Sequence, residues 1–122
     1  MKAIVVFCNV EGKGHPLGWM LKDGFKHCFI NLQTENGWVE FDYRIGIPFV
    51  RVMAASDFDL NSYYRDLGFT TVETEQAKCI KFGINLFCGT ITVANCVGLV
   101  KALLGVKYFS VTPYQLYKRL LK

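Results

Sequence analysis

The segment HCFINLQTENGWVEFDYR, residues 27–44, constrains the fold more than any other stretch of this chain. Two runs of apolar and aromatic residues flank Asn36-Gly37. Glycine adopts positive φ angles readily, so this pair favours a tight turn between two antiparallel strands. The segment therefore predicts a β-hairpin, and a sheet built around it needs other elements to cover its apolar surface.

Further strands and helices are predicted on both sides of the hairpin. Runs of β-branched and apolar residues indicate three more strands, at 3–10, 50–56 and 69–75. Helical patterns with capping signals indicate helices at 56–69, 96–104 and 113–122. Ser56 or Asp57 is expected to cap the first of these and Thr112 the last. This order of elements predicts an α+β fold in which helices pack against an antiparallel sheet.

Composition limits the class of protein. The 122 residues, of which 52% are hydrophobic, suffice for a single compact domain covering 1–122. The apolar runs are too short to span a membrane, and the N-terminal segment lacks the pattern of a signal peptide. The five cysteines include no CxxC pair, and the two histidines do not have zinc-site spacing. We therefore expect reduced thiols, a cytoplasmic location, and neither a metal nor an organic cofactor.

Charge is distributed unevenly along the chain. Residues 1–75 hold seven Lys/Arg and ten Asp/Glu, a net charge of −3, whereas residues 76–122 hold seven Lys/Arg and no acid, a net charge of +7. Such a basic third can mark a surface for an anionic partner. The basic residues are dispersed and no nucleic-acid-binding motif accompanies them, which favours a solvated basic face and makes nucleic acid an unfavoured partner.

Cys96 is the candidate nucleophile. It follows Asn95, a preferred helix cap, and so falls in the first turn of the helix predicted at 96–104. The unpaired amides and the helix dipole at that position stabilise a thiolate and can hold a developing oxyanion. The alternative interpretation is a small cysteine packed in the core. Cys88 is a weaker rival because no helical pattern follows it.

Four further residues are candidates for a site around Cys96. His27 begins a predicted strand, where it can reach a helix start and act as the base that activates a thiol. Glu40, on the paired strand, can orient the imidazole of His27, and Asp42, on the same face of that strand, is the alternative. Trp19 is a candidate wall of the cleft.

Three segments resemble the NlpC-like branch of the papain-like cysteine peptidase and amidase superfamily. HCFINLQTENGWVEF is similar to its strand pair, ANCVGLVKALLG to its nucleophile helix, and TPYQLYKRL to the Thr-Pro helix of some members. The histidine precedes the cysteine here, which matches the circularly permuted branch that includes YiiX-like proteins and relatives of lecithin retinol acyltransferase.

The resemblance implies a papain-like fold of permuted NlpC type and a triad of Cys96 as nucleophile, His27 as base and Glu40 as orienter. It implies a thiol hydrolase, either a cysteine peptidase or an amidase, acting on a peptide or acyl substrate such as a cell-wall peptide, with acyl transfer as a related reaction. A non-catalytic binding or structural module with the same fold, for instance a component of a phage particle, is the alternative. In that case the protein would belong to a phage or bacterial protein assembly.

Overall fold

A computed structural model describes residues 2–9, 22–44, 47–75, 96–106, 110 and 112–122. Within this part of the chain it contains five strands and three helices. They are β1 (Ala3–Cys8), β2 (His27–Thr34), β3 (Gly37–Arg44), β4 (Ile47–Ala54), α1 (Leu60–Asp66), β5 (Thr70–Thr74), α2 (Cys96–Leu104) and α3 (Pro113–Leu120). Trp19, Cys88 and Asn95 lie outside the described residues.

The five strands form one sheet in the order β4-β3-β2-β1-β5. Every neighbouring pair is antiparallel. The prediction of an α+β fold with an antiparallel sheet is therefore confirmed. The central position belongs to β2, the strand that begins at His27.

The predicted hairpin is formed by β2 and β3, with Thr34 opposite Gly37 and a two-residue turn between them. Gly37 has a φ angle of +130°, and a Cβ atom at this position would lie 2.6 Å from the carbonyl oxygen of Ala54 on β4. The glycine is thus required both by the turn and by the close approach of β4.

Each face of the sheet is covered by helices. On one face, α2 and α3 pack over the side chains of alternate residues of β1 and β2, among them Phe7, Cys28 and Ile30. On the other face, α1 packs over Ile4, Val6 and Phe29 through Leu60 and Tyr64. Because strand side chains alternate between faces, neighbouring residues of β2 contribute to opposite cores. Among the described residues, no helix has the length and apolar character needed to cross a membrane.

Two predicted boundaries differ from the structure. Helix α1 begins at Leu60, and its cap is Asp59, whose Oδ1 accepts from the amide of Ser62 at 3.1 Å. The expected caps, Ser56 and Asp57, lie instead in a turn. That turn is held in place by the sheet, since Trp38 Nε1 donates to the carbonyl oxygen of Phe58 at 3.0 Å.

Strand β4 begins at Ile47, three residues before the predicted start, and runs through Pro48. The pairing with β3 extends to Arg44 opposite Ile47. A proline lacks the backbone N–H needed by a central strand, but β4 is at the edge of the sheet, where that loss is tolerated.

Helix α3 has the predicted start. The hydroxyl of Thr112 accepts from the amide of Gln115, and the Gln115 side chain accepts from the amide of Thr112, which is a complete capping box. Pro113 occupies the first turn, and Leu116 is fully buried against the sheet. The predicted docking of this helix on the sheet is confirmed.

Candidate active site

His27 and Asp42 form a buried pair. The side chains of His27 and Asp42 are 4% and 1% exposed, and His27 Nε2 donates to Asp42 Oδ1 at 2.6 Å. The register of the hairpin explains this contact. Ile30 lies opposite Phe41, so Asp42 lies opposite Phe29, two residues from His27 on the same face of the sheet.

Glu40 does not contact His27. It lies opposite Asn31, four residues along β2 from His27, a separation of about 13 Å along the strand. Its carboxylate accepts a hydrogen bond from Arg51 Nε and another from the hydroxyl of Tyr64 at 3.4 Å. The carboxylate that orients His27 is therefore Asp42, the alternative in the sequence analysis, and not Glu40.

Cys96 is the first residue of α2, as predicted, and it is partly buried. Helix α2 packs on β2 and β3, and its start lies at the end of β2 where both Cys28 and His27 reach the thiol. A hydrogen bond from Cys28, together with a hydrogen bond and charge attraction from His27, lowers the pKa of Cys96 to about 4 and outweighs the effect of burial. The amides of the first helical turn add to the stabilisation of the thiolate.

The pKa of His27 is shifted in the opposite direction. Burial favours the neutral imidazole, but the hydrogen bonds with Asp42 and Cys96 and the charges on both partners raise the pKa of His27 to about 9. Between these two pKa values the site holds a thiolate beside an imidazolium. Since Nε2 is bound to Asp42, Nδ1 is the ring nitrogen left for proton exchange with Cys96.

Cys28, which was not among the candidate residues, also belongs to the site. It is fully buried, and burial raises the pKa of its thiol, so it stays protonated and can donate to the Cys96 thiolate. Its position was readable in part from the sequence. It follows His27 in the strand and must therefore point to the opposite face, which is the face covered by α2.

A Cys28→Ala variant is expected to raise the pKa of Cys96, because the thiolate loses a hydrogen-bond donor. Titration of thiolate absorbance near 240 nm measures the shift. Cys28→Ser is the matched variant, since it keeps a donor in nearly the same volume and should hold the pKa of Cys96 lower than Cys28→Ala does. Identical titration curves for both variants and the unchanged protein would exclude a role for Cys28 in the site.

The chain before β2 is anchored so that His27 has a fixed position. Asn9, directly after β1, accepts from the amide of Gly24 at 2.6 Å and donates to Asp23 at 2.9 Å. Phe25 lies between α3 and the sheet, with ring centroids 4.8 Å from Tyr117 and 5.5 Å from Phe7. The end of β1 and the start of β2, which lie side by side at the site, are thereby held together.

The described part of the chain brings together Cys96, His27 and Asp42, with Cys28 as a fourth member. It contains no cluster of three His, Cys, Asp or Glu side chains arranged to hold a metal ion. Asn95 and Trp19, the remaining predicted members of the site, fall in segments that the structure does not describe.

Comparisons with family models, with curated proteins and with solved structures gave no match to this chain. A functional inference therefore rests on the geometry of the site.

Proposed function

We propose that this protein is a thiol hydrolase of the cysteine peptidase or amidase type, with a catalytic triad of Cys96, His27 and Asp42. The observation that carries the proposal is the buried His27–Asp42 hydrogen bond of 2.6 Å next to the Cys96 thiol at the start of a helix. A nucleophile, a base in contact with it and a buried group that orients the base are the three parts that this chemistry requires.

In the first half of the reaction, the Cys96 thiolate attacks the carbonyl carbon of an amide or ester. The amides at the start of α2 stabilise the oxyanion that forms. His27, present as the imidazolium, gives its proton to the leaving nitrogen or oxygen as the bond to carbon breaks, and the acyl group remains on Cys96 as a thioester.

In the second half, His27 is neutral and acts as a base. It removes a proton from water as the water oxygen attacks the thioester, and the carboxylic acid product leaves with regeneration of the thiolate–imidazolium pair. An amine or alcohol in place of water would receive the acyl group, which is the acyltransferase reaction. Asp42 stabilises the imidazolium in both halves and keeps the ring oriented.

The papain-like arrangement of permuted NlpC type is part of this proposal. It is supported by a nucleophile helix that follows the histidine strand in the chain and packs on the same sheet. The resemblance implied Glu40 as the third member of the triad, and the geometry favours Asp42 in that role.

Acylation by 4-nitrophenyl acetate tests the proposal. The intact protein should release a burst of 4-nitrophenolate and gain one acetyl group, located on Cys96 by mass spectrometry, with slow turnover afterwards. The Cys96→Ala variant should show neither. Acetylation spread evenly over several cysteines and lysines, with no burst, would reject the enzyme and leave the alternative of a non-catalytic module.

A further inference from the structure

A cavity lies beside His27 of the candidate triad, on the face of the sheet that α1 covers. It has a volume of about 170 Å³ and is bordered by His27. Most of its wall is apolar and aromatic, formed by Phe29, Met53, Tyr63, Tyr64, Leu67 and Phe69. An apolar cavity of roughly 150 Å³ is large enough to hold a benzene ring, so this one can take a phenyl group or a branched aliphatic group.

Three of the polar groups at this cavity, those of Glu40, Arg51 and Tyr64, are already bonded to each other. The Glu40 carboxylate accepts from Arg51 and from Tyr64. An occupant therefore does not need to supply a charge, and an unpaired charge there would lose its hydration without gaining a partner. The chemistry of the wall selects an apolar occupant.

The position of His27 indicates which part of a substrate can enter the cavity. In the proposed reaction His27 donates a proton to the leaving atom, so the leaving group lies on the His27 side of the thiolate. The cavity has His27 in its wall, and Cys96 is absent from the wall. The group that reaches the cavity is thus attached to the leaving nitrogen or oxygen and not to the acyl carbon.

We propose that this cavity is the specificity pocket for the leaving group, and that it selects an aromatic or branched aliphatic side chain directly after the bond that is cleaved. This inference rests on the proposed thiol hydrolase function. For a peptide substrate, the preferred residue on the leaving side would be Phe, Leu or a residue of similar size.

The pocket can be tested by acyl transfer, without knowledge of the natural substrate. The leaving group departs through the same site by which an amine acceptor enters. After 4-nitrophenyl acetate acetylates Cys96, the nitrogen of an added amino-acid amide attacks the thioester, His27 takes the proton, and the Cys96 thiolate leaves. The products are an N-acetyl amino-acid amide and the free enzyme.

The measurement is the ratio of acetyl transfer to hydrolysis with glycinamide, leucinamide and phenylalaninamide at equal concentrations of free amine. We expect leucinamide and phenylalaninamide to exceed glycinamide by about tenfold or more, since each places an apolar group in the pocket. Equal ratios for the three amides would overturn the proposal.

Two tryptophan variants on β4 locate the effect. Met53 lines the pocket, so Met53→Trp should reduce the preference for phenylalaninamide to about that for glycinamide. Val52 is 67% exposed and points to the other face, so Val52→Trp should keep the preference. If Met53→Trp leaves the preference unchanged while Cys96 is still acetylated, the preference arises elsewhere and the pocket is wrongly assigned.

The two proposals fail in different ways. If the intact protein forms no acetyl-Cys96, the hydrolase proposal fails. If acetyl-Cys96 forms and hydrolyses but the three amides are used equally, the hydrolase stands and the leaving-group pocket does not. The acceptor series on the unchanged protein decides this even if Met53→Trp does not fold.

Discussion

A His27→Ala variant is expected to lose most of its activity on an alkyl ester such as benzyl acetate, whose alkoxide, unlike 4-nitrophenolate, must be protonated as it leaves. General acid–base catalysis by a positioned histidine contributes a factor of about 10²–10⁴, and the variant has no group to protonate the leaving oxygen or to activate water. We therefore expect a fall of that size in kcat/KM. The acylation and deacylation steps should both slow, because His27 serves in each.

The same variant should also change the titration of Cys96. Without the imidazolium, the pKa of Cys96 moves up from about 4 towards that of an ordinary thiol, near 8.5. Thiolate absorbance measured against pH reports the shift independently of turnover. Thermal unfolding of the variant serves as the control for folding. A folded variant with unchanged kcat/KM and an unchanged Cys96 titration would contradict the assignment of His27.

Replacement of Asp42 by leucine is expected to reduce kcat/KM by a similar factor, about 10²–10⁴. Leucine has the branched shape of aspartate with larger methyl groups in place of the oxygens, and it accepts no hydrogen bond, so His27 loses both its orientation and the charge that stabilises its imidazolium. The pKa of His27, now about 9, should fall, and the upper limb of the pH–activity profile should move to lower pH with it. Asp42→Asn keeps a hydrogen-bond acceptor without the charge, so its kcat/KM should lie between those of the unchanged protein and of Asp42→Leu.

Glu40→Leu is the matched control for Asp42→Leu. It places the same substitution on the same face of β3, two residues away. Of the two partners it releases, Arg51 has a side chain 59% exposed to solvent, and the Tyr64 hydroxyl still accepts from Asn31. We expect its kcat/KM to stay within a few-fold of the unchanged protein and its pH profile to keep both limbs. A larger loss in Glu40→Leu than in Asp42→Leu would restore Glu40 as the orienting group.

The difference between Glu40 and Asp42 shows how far the sequence could lead. Alternation along β3 placed both acids on the face of His27, and this is what the structure has. Only the register distinguishes them, and the register depends on which two residues form the turn. With Thr34 opposite Gly37, the count from the turn places Asp42 two residues and Glu40 four residues from His27, so Asp42 alone is in reach.

The elements that the sequence predicted well are those determined by local chemistry. Helix α2 occupies the predicted residues, and the Thr112 cap and Gly37 are determined by capping and backbone conformation within a few residues. The predicted start of α1 was wrong because, judged from local sequence alone, Ser56 and Asp57 are as suitable as Asp59 for a helix cap. The indole of Trp38 decides the matter from 20 residues away, by holding Phe58 in a turn.

The contact of Cys28 with Cys96 depends on long-range packing. Local sequence placed Cys28 in a strand and Cys96 at a helix start, and nothing local shows that the helix start meets the strand end. That meeting depends on how α2 lies across β2 and β3, which is set by the apolar side chains shared between them. The cavity beside His27 likewise combines residues of four strands and of α1 with the chain that follows α1.

The pH dependence of Cys96 alkylation tests whether Cys96 and His27 form a thiolate–imidazolium pair. The rate with iodoacetamide would be followed from pH 3 upward, with the site assigned by mass spectrometry. We expect a rise with a midpoint near pH 4 and selective reaction at Cys96 well below neutral pH. A single rise near pH 8.5, shared with the other thiols of the protein, would contradict it.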